Sequence, residues 1–219
     1  MNNPTVQTSR SNAASMETNK VLRNTYSLLA MTLTWAAAVA GISMAMNLPH
    51  PGLILMLVGF YGLLFLTHKT ANSSMGLLSV FALTGFMGYT LGPILNMAIA
   101  NGPEVVMLAL GGTALIFFSL SAYILTTKKD MSFLGGMMVA GFVVIVVGFI
   151  ANLFFQMPAL NLALSALFIL FSSGAILMQT SAIVNGGERN YILATVTLFV
   201  SLYNIFLSLL NLLMAFGRE

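Results

Sequence analysis

Residues 133–155 read FLGGMMVAGFVVIVVGFIANLFF, twenty-three positions without one charged side chain. A helix rises about 1.5 Å per residue, so this run covers about 35 Å, enough to cross a hydrocarbon layer about 30 Å thick. It is apolar throughout instead of alternating, which speaks against a barrel strand. Working outward, the pattern recurs at 28–46, 52–67, 75–99, 105–125, 159–179 and 191–214, in runs of 19, 16, 25, 21, 21 and 24 residues. The second is short by roughly four residues for a span, so its flanks (His50, Pro51, His68) must reach into the interface. The connections are brief and carry Pro or Gly as helix stops, which makes consecutive helices antiparallel neighbours. The expected fold is all-α: a polytopic membrane protein with seven transmembrane helices at 28–219, preceded by a polar tail at 1–27. The tail's Asn, Ser and Thr clusters predict a flexible segment over its first ~18 residues, and Glu17 to Tyr26 reads as a helix at the interface.

Composition agrees. Thirteen of 219 residues are charged, or 6%, against about 25% in a soluble domain. Apolar residues make up 58% and the mean hydropathy is +0.96. So little charge cannot cover a soluble surface, which excludes a soluble globular protein, a disordered chain and a nucleic-acid binder. The pI near 9.4 reflects eight positive against five negative charges and not a basic binding patch. With no cysteine there is no disulfide, thiolate metal site or thiol nucleophile. His50 and His68, without nearby carboxylates, make no zinc site. No catalytic residue, metal site or cofactor is expected, and no aspartate pair, Ser–His arrangement or zinc motif for intramembrane proteolysis is present.

Charge placement predicts direction. With seven spans and the N-terminus inside, the inner segments hold Arg10, Lys20, Arg23, Lys69, Lys128, Lys129 and Arg189; the outer ones hold only Arg218. This matches the positive-inside rule, and dropping a span would break it. In a bacterial inner membrane the N-terminus is then cytoplasmic and the C-terminus periplasmic.

No charge lies in the middle of a span, which argues against a carboxylate relay or a fixed-charge filter. The polar residues available there are neutral: Asn96, Asn152, Asn161, Gln179, Asn204 and Asn211. Interhelical hydrogen bonding, worth about 0.6 kcal/mol on average, is the plain reading; a polar path is the sharper one. Ser201, Asn204, Ser208 and Asn211 form one stripe on span seven, and lipid offers them no partner, so the stripe should face protein. Gly85, Gly88 and Gly92 form a row of the kind that lets helices approach closely. Pro93 lies inside span three, lacks an N–H and deprives the Tyr89 carbonyl of its helical partner, so a kink is expected.

One set of motifs is more specific. The runs Gly76-Leu77-Leu78-Ser79, Gly88-Tyr89-Thr90-Leu91-Gly92-Pro93-Ile94-Leu95 and Ala109-Leu110-Gly111-Gly112-Thr113-Ala114-Leu115-Ile116-Phe117 resemble the signature of the Bax inhibitor-1 family. The likeness extends from about residue 21 to the C-terminus. The stretches VLRNTYSLLAMTLT (21–34), TTKKDMSFLGGM (126–137) and SLYNIFLSLL (201–210) look especially like its bacterial branch of FtsH protease modulators. The resemblance implies six helices around a central seventh. It also implies FtsH as partner, a membrane-anchored AAA protease, with HflK and HflC around it, and a role in restraining its attack on membrane substrates.

Other members of the family leak calcium in a pH-dependent way through two carboxylates, one near the end of span six and one in span seven. By the same resemblance, Met178-Gln179-Thr180 and Ser201-Leu202-Tyr203-Asn204-Ile205-Phe206 place Gln179 and Ser201 at those positions. A close carboxylate pair titrates as a unit and makes a proton switch; an amide and a hydroxyl do not. The expected function is therefore a non-enzymatic modulator, inhibitor and possible substrate of the protease, with a calcium leak as the alternative. In that reading residues 1–20 form a handle for the protease. Lys20, Arg23, Lys69, Lys128, Lys129, Asp130, Glu188 and Arg189 are candidate cytoplasmic contacts, or markers of topology alone.

Overall fold

The computed structural model describes the backbone from Pro4 to Gly217 and side chains from Met16 onward. Arg218 and the side chain of Arg10, both used in the charge count, lie outside the described residues. Seven helices follow in order: α1 (Pro4–Ala45), α2 (Gly52–Thr70), α3 (Met75–Asn101), α4 (Pro103–Thr127), α5 (Gly135–Phe155), α6 (Pro158–Val184) and α7 (Tyr191–Phe216). A single 3-10 turn at Ser132–Leu134 leads into α5. All seven contain a stretch long and apolar enough to cross a membrane, and no strand occurs among the described residues.

Two differences from expectation have local causes. The short second run gains three residues, since α2 continues through His68 and Lys69 to Thr70; its 19 residues then cover about 28 Å. The polar N-terminal segment is helical from Pro4 and continuous with the first span, one helix of 42 residues. Nothing between Pro4 and Ser27 stops a helix: there is no glycine, and proline stands only at the first helical position, where its missing N–H costs nothing. Low-propensity Asn, Ser and Thr weaken a helix but do not end one that a long span has nucleated.

The helices are unequally enclosed. Of the most apolar stretch in each, 67% is buried in α7 and 50% in α3, against 6% in both α2 and α5. The main partners of α7 are α6, α4, α1 and α3. Its Val196, Leu198, Phe199, Leu202, Tyr203 and Ile205 form the largest core cluster with Leu28, Leu29, Val80, Leu83, Phe117 and Ile176. By contrast α2 rests mainly on α3, and α5 on α6; their remaining faces expose Ile54, Phe65, Val147 and Phe154, which suits lipid.

The most extensive joint is α1 on α3, and it explains the glycine row. A Cβ at Gly88 would meet the backbone of Ala36, one at Gly92 would meet Ser43, and one at Gly85 would meet the Trp35 indole. Close approach permits side chain-to-backbone bonds across the joint. Trp35 Nε1 donates to the Phe81 carbonyl (3.0 Å), and Asn96 Nδ2 donates to the Met44 carbonyl (3.2 Å). Ser43 Oγ donates to the Tyr89 carbonyl at 3.0 Å, the very group that Pro93 leaves without a helical donor. The helix α3 is one element through Pro93 because its neighbour supplies the missing bond.

Candidate functional site

Every described cation falls at one end of the bundle: Lys20 and Arg23 in α1 before its apolar run, Lys69 in the last turn of α2, and the others in the connections after α4 and α6. Lys20, Arg23, Lys69, Lys128, Lys129 and Arg189 are exposed, as is Asp130, while Glu188 is half-buried. None is in an ion pair among the described residues. What holds this basic end in shape is a pair of neutral polar clamps.

The first clamp is Asn190, the N-cap of α7. Its Oδ1 accepts from the backbone N–H groups of Ile192 (2.9 Å) and Leu193 (3.1 Å). Its Nδ2 donates to the Ala71 carbonyl (3.1 Å) and to Asn72 Oδ1 (2.8 Å). One side chain thus caps a helix and ties the α2–α3 turn to the α6–α7 loop. Its own N–H donates to Glu188 Oε1 (2.7 Å). The second clamp is Ser181 on α6, only 2% exposed. Its Oγ donates to the Lys129 carbonyl (3.0 Å) and accepts from the Met131 N–H (3.0 Å), pinning the α4–α5 connection. Asn190→Ala is expected to cost about 1–2 kcal/mol, the worth of a lost N-cap, and to release residues 71–74. Thermal unfolding in detergent reads the first effect and hydrogen exchange at Ser73 and Ser74 the second.

Two cavities of about 460 Å³ each open at this end. One is lined by Asn72, Ser73, Ser74, Arg189 and Tyr191. The other lies between α1, α4, α6 and the α6–α7 loop, with Glu17, Leu22, Leu125, Lys128, Glu188 and Arg189 on its wall. Arg189 borders both.

Gln179, Ser201 and the rest of the α7 stripe sit deeper. Ser201 is 4% exposed, and its hydroxyl is spent on its own helix, donating to the Thr197 carbonyl (2.8 Å). Asn204 is half-buried and Ser208 buried. Asn211 Nδ2 donates to Ser165 Oγ of α6 (2.7 Å), so this end of the stripe does face protein. Gln179 is half-buried, and its Nε2 is buried with no partner in the protein.

Gln179 has company. Thr25 Oγ1, Tyr26 Oη, Ser121 Oγ and Thr180 Oγ1 are likewise buried without a partner. A bare buried polar atom costs about 1–3 kcal/mol. Five of them would consume much of a net stability of about 5–15 kcal/mol, so this group is not incidental. Charge alone does not reveal it, because every member is neutral and common in membrane helices. The sequence signal that could have found it is positional: a hydroxyl or amide on α1, α4 and α6, each one to two turns inside the basic end.

Sequence reasoning also missed Tyr203, whose Oη pairs with Thr90 Oγ1 (2.7 Å) to join α7 to α3. Among the described residues no group of three His, Cys, Asp or Glu side chains comes together.

The comparisons with known proteins fit this geometry. The family model described as inhibitor of apoptosis-promoting Bax1 matches residues 18–218. The chain is 61% identical over 215 residues to the modulator of FtsH protease YccA of Escherichia coli K12, covering 98% of both chains. It is 58% identical to an uncharacterised protein of Pseudomonas aeruginosa over 91% of both chains. It is 43% identical to an uncharacterised membrane protein of Vibrio cholerae over 97% of both. A match that runs through all seven helices, on a bundle whose α1–α3 joint uses the motif glycines, places this membrane protein in the Bax inhibitor-1 family.

Proposed function

We propose that the chain is a non-enzymatic modulator of the membrane AAA protease FtsH, acting by contact at its basic end. The observation that carries this reading is the 61% identity, over 98% of both chains, to a relative named for that activity. The geometry supports it. The basic end is cytoplasmic by the positive-inside rule, the side on which the protease has its catalytic part, and the C-terminus is periplasmic. The clamps at Asn190 and Ser181 hold three connections in register, so Lys69, Lys128, Lys129, Asp130, Glu188 and Arg189 are presented on an ordered face. Lys20 and Arg23 join them from α1.

The N-terminal segment is the handle, and α1 makes it an unusual one. Pulling on it loads a helix locked to α3 by the glycine row and three interhelical bonds. With α7 as the axis of the bundle, extraction is slow and the protease stays occupied. HflK and HflC are the further partners of the assembly. The tagged full chain is expected to co-purify with FtsH from inner membranes and to lower its turnover of a membrane substrate. A variant lacking residues 1–15 is expected to resist destruction by FtsH while keeping its thermal midpoint. A chain that neither co-purifies nor changes substrate turnover ends this reading.

The polar face of α7 and Pro93 inside α3 motivate the second reading, a cation leak. Against it stand the neutral residues at both carboxylate positions and the closed bond of Ser201 to Thr197. Calcium flux into liposomes distinguishes the two. The natural chain is expected to give none, and measurable flux from it above that of empty liposomes would favour the leak.

A further inference from the structure

We propose that the unpartnered groups of α1, α4 and α6 form a hydration site: a transverse layer holding ordered water bound to Thr25, Tyr26, Ser121, Gln179 and Thr180. Four helices place polar groups at one level. On α1, Val21 belongs to a small apolar cluster with Ile183 and Ala194, Leu28 and Leu29 to the large core, and Thr25 and Tyr26 lie between. On α6, Gln179 and Thr180 lie between Ile176 of the large cluster and Ile183 of the small one. On α7, Thr195 lies between Ala194 and Val196; its hydroxyl donates to the Tyr191 carbonyl (2.7 Å) with the Thr25 carbonyl as a longer second acceptor (3.2 Å). On α4, Ser121 is one turn beyond Phe117, whose ring packs 5.9 Å from that of Tyr26. Apolar residues of both clusters surround the layer, the large one reaching the basic end through Ala71 and Ile192.

Most other hydroxyls inside the bundle behave differently, although Ser172 Oγ, beyond Ile176 on α6, is also buried without a partner. Thr67, Thr84, Thr113 and Ser201 each donate to the carbonyl four residues back, the usual way a hydroxyl is satisfied inside a span. Thr25 and Thr180, both fully buried, and Ser121, 3% exposed, make no such bond. Their bonding capacity is left to the layer. Within the layer the unpartnered atoms are four hydroxyls, which both donate and accept, and one amide N–H₂, with no charge among them; Ser172 Oγ and Asn152 Oδ1, also unpartnered, lie elsewhere. That set fits a molecule that both donates and accepts, which is water; a cation would meet a donor at Gln179, and an anion would find no positive partner. The supply is close. The cavity bordered by Glu17, Leu22 and Lys128 also touches Val21, a member of the Val21–Ile183–Ala194 cluster at the edge of the layer. At the opposite side the large core closes the path.

Radiolytic hydroxyl labelling of the purified full chain in ¹⁸O-water tests this, because activated water marks the side chains it touches. Phe117, 5% exposed and bordering the layer, is expected to take up the label. Phe206, 7% exposed and packed in a different cluster with Ala98 and Leu210, is expected not to. Equal labelling of the two overturns the proposal. A second arm reads stability through Thr180→Val and Ser121→Ala. In a hydrated layer each removes an anchor for water and lowers the thermal midpoint. In a dry one each replaces an orphaned hydroxyl with an apolar group, so an unchanged or raised midpoint also overturns it.

Discussion

Replacing Gly88 by leucine is expected to leave no folded bundle. A Cβ at this position runs into the carbonyl oxygen and Cα of Ala36. These are backbone atoms of a helix and cannot turn aside as a side-chain tip can. Overpacking costs about 1–3 kcal/mol even for small additions, and the net stability at risk is about 5–15 kcal/mol. Gly88→Ala is therefore expected to survive in weakened form. Leucine pushes α1 from α3 and breaks the bonds from Trp35, Ser43 and Asn96 together. Loss of the Ser43 bond also strips the Tyr89 carbonyl of its replacement for the donor that Pro93 lacks. Gly111→Leu is the control: that position is exposed, and a Cβ added there would meet nothing within 4 Å, so it should be silent. The yield of monodisperse protein after detergent extraction reads both, and equal behaviour of the two variants would refute the close-packed joint.

The second large effect is expected at Ser201. Ser201→Asp puts a carboxylate at a position 4% exposed, beside the Thr197 carbonyl that now accepts from the hydroxyl. A carboxylate cannot donate to that carbonyl, so attraction becomes repulsion between two acceptors. An aspartate at the centre of a membrane helix costs about 3 kcal/mol on the insertion scale, and the lost bond adds about 1 kcal/mol. The variant should unfold at clearly lower denaturant than the natural chain. Ser201→Ala loses only a bond to its own helix and is expected to lie within about 1 kcal/mol of it. If Ser201→Asp were as stable as Ser201→Ala, a compensating charge or water path would have to reach this part of α7, and the reading of a neutral interior would fall.

Much of the protein could be read from its residues. The charge-free runs place all seven helices, because a span in lipid must satisfy its own backbone and leaves little freedom of structure. The glycine row and the bare Tyr89 carbonyl could be named as well. Their partners could not: which helix would fill the approach, and that Ser43 would supply the bond, depends on contacts 46 residues apart. Local propensity makes the first ~18 residues look flexible, while the backbone from Pro4 continues the helix of the first span.

At the site the balance shifts further. Gln179 and Ser201 are both neutral polar residues within spans, yet the structure separates their fates: one hydroxyl is closed on its own helix and one amide is left open among other orphans. Composition and the spacing of apolar residues determined by themselves that this is a seven-helix membrane protein with a neutral interior, since the energy of charge in hydrocarbon permits little else. Only tertiary packing decided which neutral groups meet, because hydroxyls and amides look alike along the chain and differ only in the partners that neighbouring helices offer or withhold.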